Sequence, residues 1–504
     1  MPIAGLISKT GSDVSDQIRQ MLSMMNHYAL AKTYIAVGNS LTLNDEVHVV
    51  PSLTTERDKA IGSCGFTMGI KSPIHPIHNF KDKFLIAFEG RLYGTTCNAH
   101  IHTETFKTNS SVHEVASLFE NKVTDDDGVT IASVSEAITR LHGSFSLAIL
   151  DGRRITVARD VLGVEPLYWG ENERYSGFAS ERKALWNIGI TAVTAVHPGH
   201  VAVIMNKTRF QRRAMTLQRP PIFDISLGGA AQTLKTLLQR LVKVYLQDSG
   251  EVGIFFSGGV DSSLVTKCIM DQGVTPILYV AGFEGSHDLD AAEHSAEELG
   301  CPLHETIISL DEAENYIRKV IYAVEEDDLM KISIGLPLYV AAEAVMKDGV
   351  GRVFAGQGAD ELFGGYTRYC RILEQRGAVG LADALWTDVV HMADVNLQRD
   401  KGIALATNIE LVLPFMNLEV IHVASSFPTH LKVESSQDAL RKPVLRETAR
   451  LFGLSEKITR RPKKAMQYGS GALKAIRRLA KIKGYQRPRD YVASVFCEVF
   501  AELH

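Results

Sequence analysis

The stretch Ile254-Phe255-Phe256-Ser257-Gly258-Gly259-Val260-Asp261-Ser262-Ser263-Leu264-Val265 carries the densest chemistry in the chain. An apolar run of strand type meets a Ser-Gly-Gly turn, and a pattern of helical type follows, Leu264-Val265 with Cys268-Ile269. Such a junction aims several backbone N–H groups and the positive end of a helix dipole at one spot, which suits an anion. Gly258 and Gly259 let the backbone approach a phosphate with no Cβ in the way. Ser257, Ser262 and Ser263 add hydroxyl donors, and Asp261 is placed to hold a metal ion riding on the phosphates. A tight turn with a Ser/Asp cap is the alternative, but the complete string argues for phosphate binding. No Gly-Lys-Ser/Thr follows, so it is not a Walker loop.

A second constellation is Ala355-Gly356-Gln357-Gly358-Ala359-Asp360-Glu361-Leu362-Phe363-Gly364-Gly365-Tyr366, a strand end running into a glycine turn with two acids. Asp360 is expected to face Asp261 across a crevice and share a Mg²⁺ bound to ATP phosphates. The competing reading of Asp360-Glu361 is an ordinary helix N-cap pair.

The elements around these strings set the fold class. Residues 227–504 alternate in α/β fashion. The pattern predicts a helix over 230–247, strands at 252–256, 276–280, 305–308 and 352–355, and helices over 290–299, 311–324 and 338–346. That order predicts a doubly wound parallel sheet, with Ser257, Ala281 and Gly356 at the carboxyl ends of its strands around one crevice. From about 366 the chain reads as helical, and its basic tail, Lys474 to Arg489, reads as a solvated helical face. Residues 1–205 read as one β-rich domain, with strands such as Phe84–Phe88, Ser146–Leu150 and Val201–Ile204. Asp151-Gly152 closes a hairpin into Arg154–Ala158. Helical patterns appear near Asp16–Met25 and His113–Phe119, and Thr124–Gly128 reads as a loop. Residues 206–226, with Lys207, Arg209, Arg212, Arg213 and Arg219-Pro220-Pro221, read as a connector.

Composition narrows the partners. A chain of 504 residues with net charge −4 gives no reason to expect nucleic acid or a membrane surface. Six scattered cysteines with no CxxC pair argue for reduced thiols in a cytoplasmic protein and against a zinc site. The start Met1-Pro2-Ile3-Ala4-Gly5 lacks the features of a signal peptide, and no apolar run is expected to approach the ~20 residues of a membrane span.

The glycine loop resembles the pyrophosphate loop of enzymes that activate a carboxylate or carbonyl as an adenylate. Together the two strings resemble the asparagine synthetase family, and the resemblance covers nearly the whole chain. Arg159–Tyr168, Phe178–Leu185 and His197-Pro198-Gly199-His200 are similar to segments of its glutamine-hydrolysing domain. Gly285–Leu289, the GQGADELFGGY string and Arg461–Gly469 resemble its synthetase domain, the last in a divergent, archaeal-type branch. The resemblance implies an N-terminal four-layer α+β, Ntn-hydrolase-like domain followed by an ATP-pyrophosphatase domain with a helical C-terminal part. It implies a two-step reaction in which ATP activates a carboxylate, aspartate in the type enzyme, and ammonia or another amine displaces AMP. Adenine would lie against Phe255, Ala281, Ala355 and Gly356; Lys463, with Lys442 as a second cation, would stabilise the anionic intermediate. The resemblance also implies a homodimer through the N-terminal domain.

Several positions depart from the family. Pro2 stands where an N-terminal Cys supplies amine and thiol, Glu89-Gly90 where an Asn-Gly turn binds an oxyanion, Phe66-Thr67 where an Arg clamps glutamine, and Val112 where an Asp binds its amine. The N-terminal domain is therefore expected not to hydrolyse glutamine. Gln357 replaces a frequent Glu and cannot act as a base. It is also not the aromatic of the β-lactam-forming relatives, which keep a ring-closing ligase as the weaker alternative. Met330-Lys331-Ile332-Ser333 and Val412–Asn417 lack the two arginines expected to recognise an amino-acid substrate. A non-catalytic nucleotide-binding scaffold is a third reading, which the intact phosphate loop, Asp360 and Lys463 oppose.

Overall fold

The computed structural model describes residues 2–27, 32–37, 40–43, 46–49, 59–65, 77–80, 84–97, 100–102, 115, 118, 129–151, 154–205, 209–247, 249–462 and 466–503. The chain divides into two compact units, Met1–Leu217 with Phe500–His504, and Gln218–Val499. Helix His113–Phe119 and loop Thr124–Gly128, expected from the sequence, lie largely outside the described residues.

The first unit holds two antiparallel sheets. One has the order Val193–Ala195, Tyr168–Glu171, Tyr175–Ala179, Ile3–Ser8, Lys59–Gly65, Lys32–Val37, Ser40–Leu43 and Glu46–Val49. The other runs Arg209–Arg213, His200–Ile204, Ile155–Arg159, Leu141–Leu150, Phe84–Cys97 and Ile77–Phe80, with His100–His102 on the Phe84–Cys97 strand. Side-chain alternation then builds layers. Ile3 and Ile7 pack with Leu85, Ala87, Ala148 and Leu150 of the second sheet, whereas Ala4 and Leu6 pack with Ile18, Met21 and Leu22 of helix Ser15–Met25. On the outer face of the second sheet, Phe84, Ile86 and Phe88 pack with Val134, Ala137 and Ile138 of helix Ile131–Ile138. The result is helix, sheet, sheet, helix. Both faces of the central strands are buried, so Ile3–Ser8 reads as an apolar run and not as an alternation.

The expected connector is partly a strand. Arg209–Arg213 pairs antiparallel with His200–Ile204 and forms the sheet edge. Its arginines suit an edge strand, where charge deters further pairing, and the same charge makes it look like a linker in sequence.

The second unit is built on a five-stranded sheet in the order Leu303–Ile308, Ile277–Phe283, Val252–Phe255, Arg352–Phe354, Glu410–Val412, with every pair parallel. The chain adds strands outward on one side of Val252–Phe255 and then on the other. Right-handed crossovers therefore place connecting helices on both faces, and the order reverses between Val252–Phe255 and Arg352–Phe354. Glu410–Val412 was not expected; its three residues are too few to show a period, and Arg352 donates to Glu410 at 2.8 Å across this pair. Helix Leu329–Lys347 begins nine residues before the expected start at 338 and runs through Pro337, a residue type that ordinarily ends a helix. It is also the described helix long and apolar enough by composition to cross a membrane. Residues around its circumference are buried within the unit, as in a core helix.

Candidate active site

The loop after Val252–Phe255 enters helix Val260–Met270 at the reversal point of the sheet. Gly258 has φ +65°, and a Cβ there would run into the carbonyl of Ala291. The loop is fastened at this contact: Ser295 Oγ donates to the Gly258 carbonyl at 3.1 Å, and Arg461 Nη1 donates to the Gly258 and Ala291 carbonyls at 2.6 and 3.0 Å. Ser262 Oγ accepts from the Ser257 N–H at 3.4 Å. Ser257, Gly259, Asp261 and Ser262 line the cavities here, but Ser263 is fully buried and lines neither, and Gly258 serves the turn.

A cleft of about 930 Å³, open to solvent, lies over the carboxyl ends of the strands. Phe255, Ala281, Leu338, Ala341 and Ala355 give it an apolar wall, and Gly356 and Gln357 border it. A Cβ at Gly356 would come within 2.9 Å of the Asp261 Cβ, so the two motif loops touch only because this residue is glycine. A neighbouring pocket of about 600 Å³ shares Ser257 and Asp261 with the cleft and adds Lys442, Arg446 and Arg461.

Lys442 joins the two motifs. Its Nζ lies 2.8 and 2.7 Å from the Asp261 carboxylate oxygens and 2.6 Å from Asp360 Oδ1. The lysine is 1% exposed, the two carboxylates 15% each. Arg441 and Lys442 both adopt the left-handed region, at φ +55° and +58°. Gly365 has room for no Cβ, since one would meet Asp360 and Lys442. Behind Asp360, Glu361 accepts from Tyr366 Oη at 2.6 Å and Asn396 Nδ2 at 2.9 Å. Burial and the Asp360 charge push its carboxyl up to about 7. Asp360 and Glu361 sit inside the first turn of helix Ala359–Phe363, whose N-cap is Gly358 with no side-chain cap, so they are not an N-cap pair, and Asp360 converges with Asp261 on Lys442. Lys463 lies outside the described residues.

A family model described as asparagine synthase matches residues 233–379 and 373–490, and one described as a glutamine amidotransferase domain matches 66–187. A Methanocaldococcus jannaschii protein named "Putative asparagine synthetase 1, glutamine-hydrolyzing" is 30% identical over 97% of this chain and 96% of its own length. The chain belongs to the asparagine synthetase family. A maize asparagine synthetase is 28% identical, over 69% of this chain and 59% of the maize protein. Among solved structures, glutamine PRPP amidotransferase of B. subtilis is similar at 17% identity and a TM-score of 0.33, covering 60% of this chain and 65% of its own. NMN synthetase of Francisella tularensis is similar at 13% and 0.28, covering 56% and 95%. Membership makes the chain one of a family of ATP-dependent amide-forming ligases that carry a glutamine amidotransferase domain.

Two cleft residues escape any motif of the family quoted above. Arg399 and Asp400, 3% and 4% exposed, line the cleft and form an ion pair, with Arg399 Nε donating to Asp400 Oδ1 at 2.8 Å. Arg399 Nη1 also donates to Asn396 Oδ1 at 3.3 Å. Burial raises the Asp400 carboxyl above its ordinary value, and Arg399 opposes that. The one signal in sequence is the polar run Gln398-Arg399-Asp400-Lys401 inside a helical stretch, and a solvated face gives the same signal. In the first unit, Glu89 is 2% exposed and accepts from Ser180 Oγ at 2.5 Å and Ser146 Oγ at 3.3 Å. Gly90 follows with φ +112°. Phe66, Thr67 and Val112 lie outside the described residues.

Proposed function

We propose that the second unit binds Mg-ATP and uses it to activate the side-chain carboxylate of an amino acid, aspartate being the leading candidate. The observation that carries this is the convergence of Asp261 and Asp360 on one point beside the glycine loop. Two carboxylates 2.6–2.8 Å from a shared cation are a fitting oxygen-donor set for Mg²⁺. Mg²⁺ bound there would neutralise the β- and γ-phosphates as pyrophosphate departs.

The chain's residues divide the remaining work. The loop N–H groups and the start of helix Val260–Met270 receive the phosphates. Phe255, Ala281, Ala355 and Gly356 offer the adenine a dry wall. A substrate carboxylate oxygen attacks the α-phosphorus and the bond to the β-phosphate oxygen breaks. Ammonia or an amine then attacks the acyl carbon, a nitrogen proton is lost, and AMP leaves, giving an amide, AMP and pyrophosphate. Lys463 follows Pro462, which lines the phosphate pocket, and is assigned to the oxyanion, while Lys442 lines the same pocket and meets the phosphates. Gln357 borders the cleft and holds the acyl group by its amide without proton transfer. Arg399 and Asp400 supply the opposite charges that a zwitterionic substrate needs, in place of the arginines absent from 330–333 and 412–417.

The first unit is assigned a structural or dimerising role without glutaminase activity. Glu89 offers only acceptors where an oxyanion would need a donor. The test is pyrophosphate release with Mg-ATP and aspartate, with and without ammonium. Ammonium-dependent release with asparagine and AMP formed is expected. ATP binding without any release would discard aspartate, and no ATP binding would leave a scaffold.

A further inference from the structure

We infer that the Lys442 ammonium is a resident stand-in for the divalent cation, so that the site accepts metal strongly only together with the nucleotide's phosphates. This rests on the Mg-ATP reading above and adds the order in which the parts assemble.

Asp261 and Asp360 are drawn together at one point, and without a cation between them their charges repel. The Lys442 ammonium occupies that point, 2.6–2.8 Å from three carboxylate oxygens. A magnesium ion binds oxygens at about 2.0–2.1 Å. At that point the two cations compete for the same oxygens. Metal arriving alone must displace a lysine that is 1% exposed and already doubly paired. Such a displacement strands a charge in a buried place.

The surroundings offer the ammonium a second place beside the glycine loop. The Lys442 backbone is anchored: its N–H donates to the Lys432 carbonyl at 2.8 Å and its carbonyl accepts from the Arg446 N–H at 3.0 Å. Next to it, Arg441 Nε donates to the Gly365 carbonyl at 2.9 Å. Two successive non-glycine residues in the left-handed region are sterically disfavoured and persist only where the surroundings demand it. The backbone is thus fixed, and the four-carbon side chain is the movable part. Lys442 also lines the pocket beside the glycine loop, with Arg446 and Arg461. Polyphosphate in that pocket gives the ammonium a second anion within reach, and the carboxylates are released to the metal. Metal and polyphosphate then bind with positive coupling, and by linkage each strengthens the other equally.

Mn²⁺ is the probe, followed by electron paramagnetic resonance on the 504-residue chain, with and without a non-hydrolysable ATP analogue. Wild type is expected to bind Mn²⁺ weakly alone and about 10-fold tighter or more with the analogue. Lys442→Met should bind Mn²⁺ about 10-fold tighter than wild type with no nucleotide, with the coupling largely gone. Its melting temperature should rise with Mn²⁺ while that of wild type does not. Lys442→Arg keeps a cation and should behave as wild type. If Lys442→Met is insoluble, Lys442→Gln carries the same expectation. Equal nucleotide-free Mn²⁺ affinity in wild type and the neutral variant overturns the inference while leaving the Mg-ATP reading intact. Failure of wild type to bind the analogue at all overturns both.

Discussion

A buried ammonium needs an anion or it sheds its proton, and the second unit contains both solutions. Lys442 meets two carboxylates. Lys432, 4% exposed, shares a small cavity with Leu362, Leu385, Trp386 and Phe427 and with the charged groups Arg219 and Glu361. Burial, with the Arg219 charge adding to it, pulls its ammonium down to about 7. The unfolded chain holds the proton up to a pH of about 10.4, so between there and about 7 it binds more protons than the folded chain. Stability therefore rises with pH across that window and is at its lowest below it. Lys432→Met should flatten this slope and raise unfolding free energy at pH 7 by about 3–5 kcal/mol, less any packing mismatch, measured by urea denaturation across pH 6–10. An unchanged slope would show that Lys432 stays charged. Among site residues, those in glycine-bounded strings were legible: Ser257, Asp261, Gly356 and Asp360 all border the cavities. Lys442 was legible as a cation but not as the link between the two acids, because 181 residues separate it from Asp261. Arg399 and Asp400 were not legible, since burial and not composition distinguishes them from a solvated helix face.

At the scale of elements, the site depends on loops that only glycine can make. Gly258 and Gly273 have similar positive φ, +65° and +80°, but different surroundings. A Cβ at Gly273 meets nothing within 4 Å, whereas at Gly258 it meets the Ala291 carbonyl. Gly273→Ala is expected to cost about 1 kcal/mol from backbone strain alone. Gly258→Ala should cost about 2–4 kcal/mol and weaken nucleotide binding, because the loop must leave the groups that Ser295 and Arg461 grip. Urea denaturation and calorimetric ATP titration of both variants check this; equal losses would mean the Ala291 contact is dispensable. The long elements were legible because burial imposes a period on them. Elements that break the period were not. Pro337 hid the first half of Leu329–Lys347, and the strand Glu410–Val412 is too short to show one. The edge strand Arg209–Arg213 was hidden by its charge.

For the whole molecule, the first unit matches an amidotransferase family model, and its proposed loss of glutamine hydrolysis is open to a direct test. Arg159 is fully buried and donates to the carbonyls of Glu165, Val196 and Gly163, and Asp160 accepts from the N–H groups of Phe145, Leu162 and Val164. These contacts hold the segment Arg159–Tyr168 by its own turn chemistry. Glu89 lies on the strand Phe84–Cys97 and takes hydroxyl donors from Ser180 and Ser146. A carboxylate there satisfies two serines and, on the proposed reading, would repel a developing oxyanion. The 504-residue chain incubated with Mg-ATP, aspartate and glutamine is therefore expected to release no glutamate above the background without protein, while ammonium supports amide formation. The Glu89→Asn variant should remain equally silent, because Pro2 still offers no thiol to attack the amide. Glutamate released by wild type in step with AMP would show that another nucleophile has taken over, and would return the first unit to the role its architecture suggests.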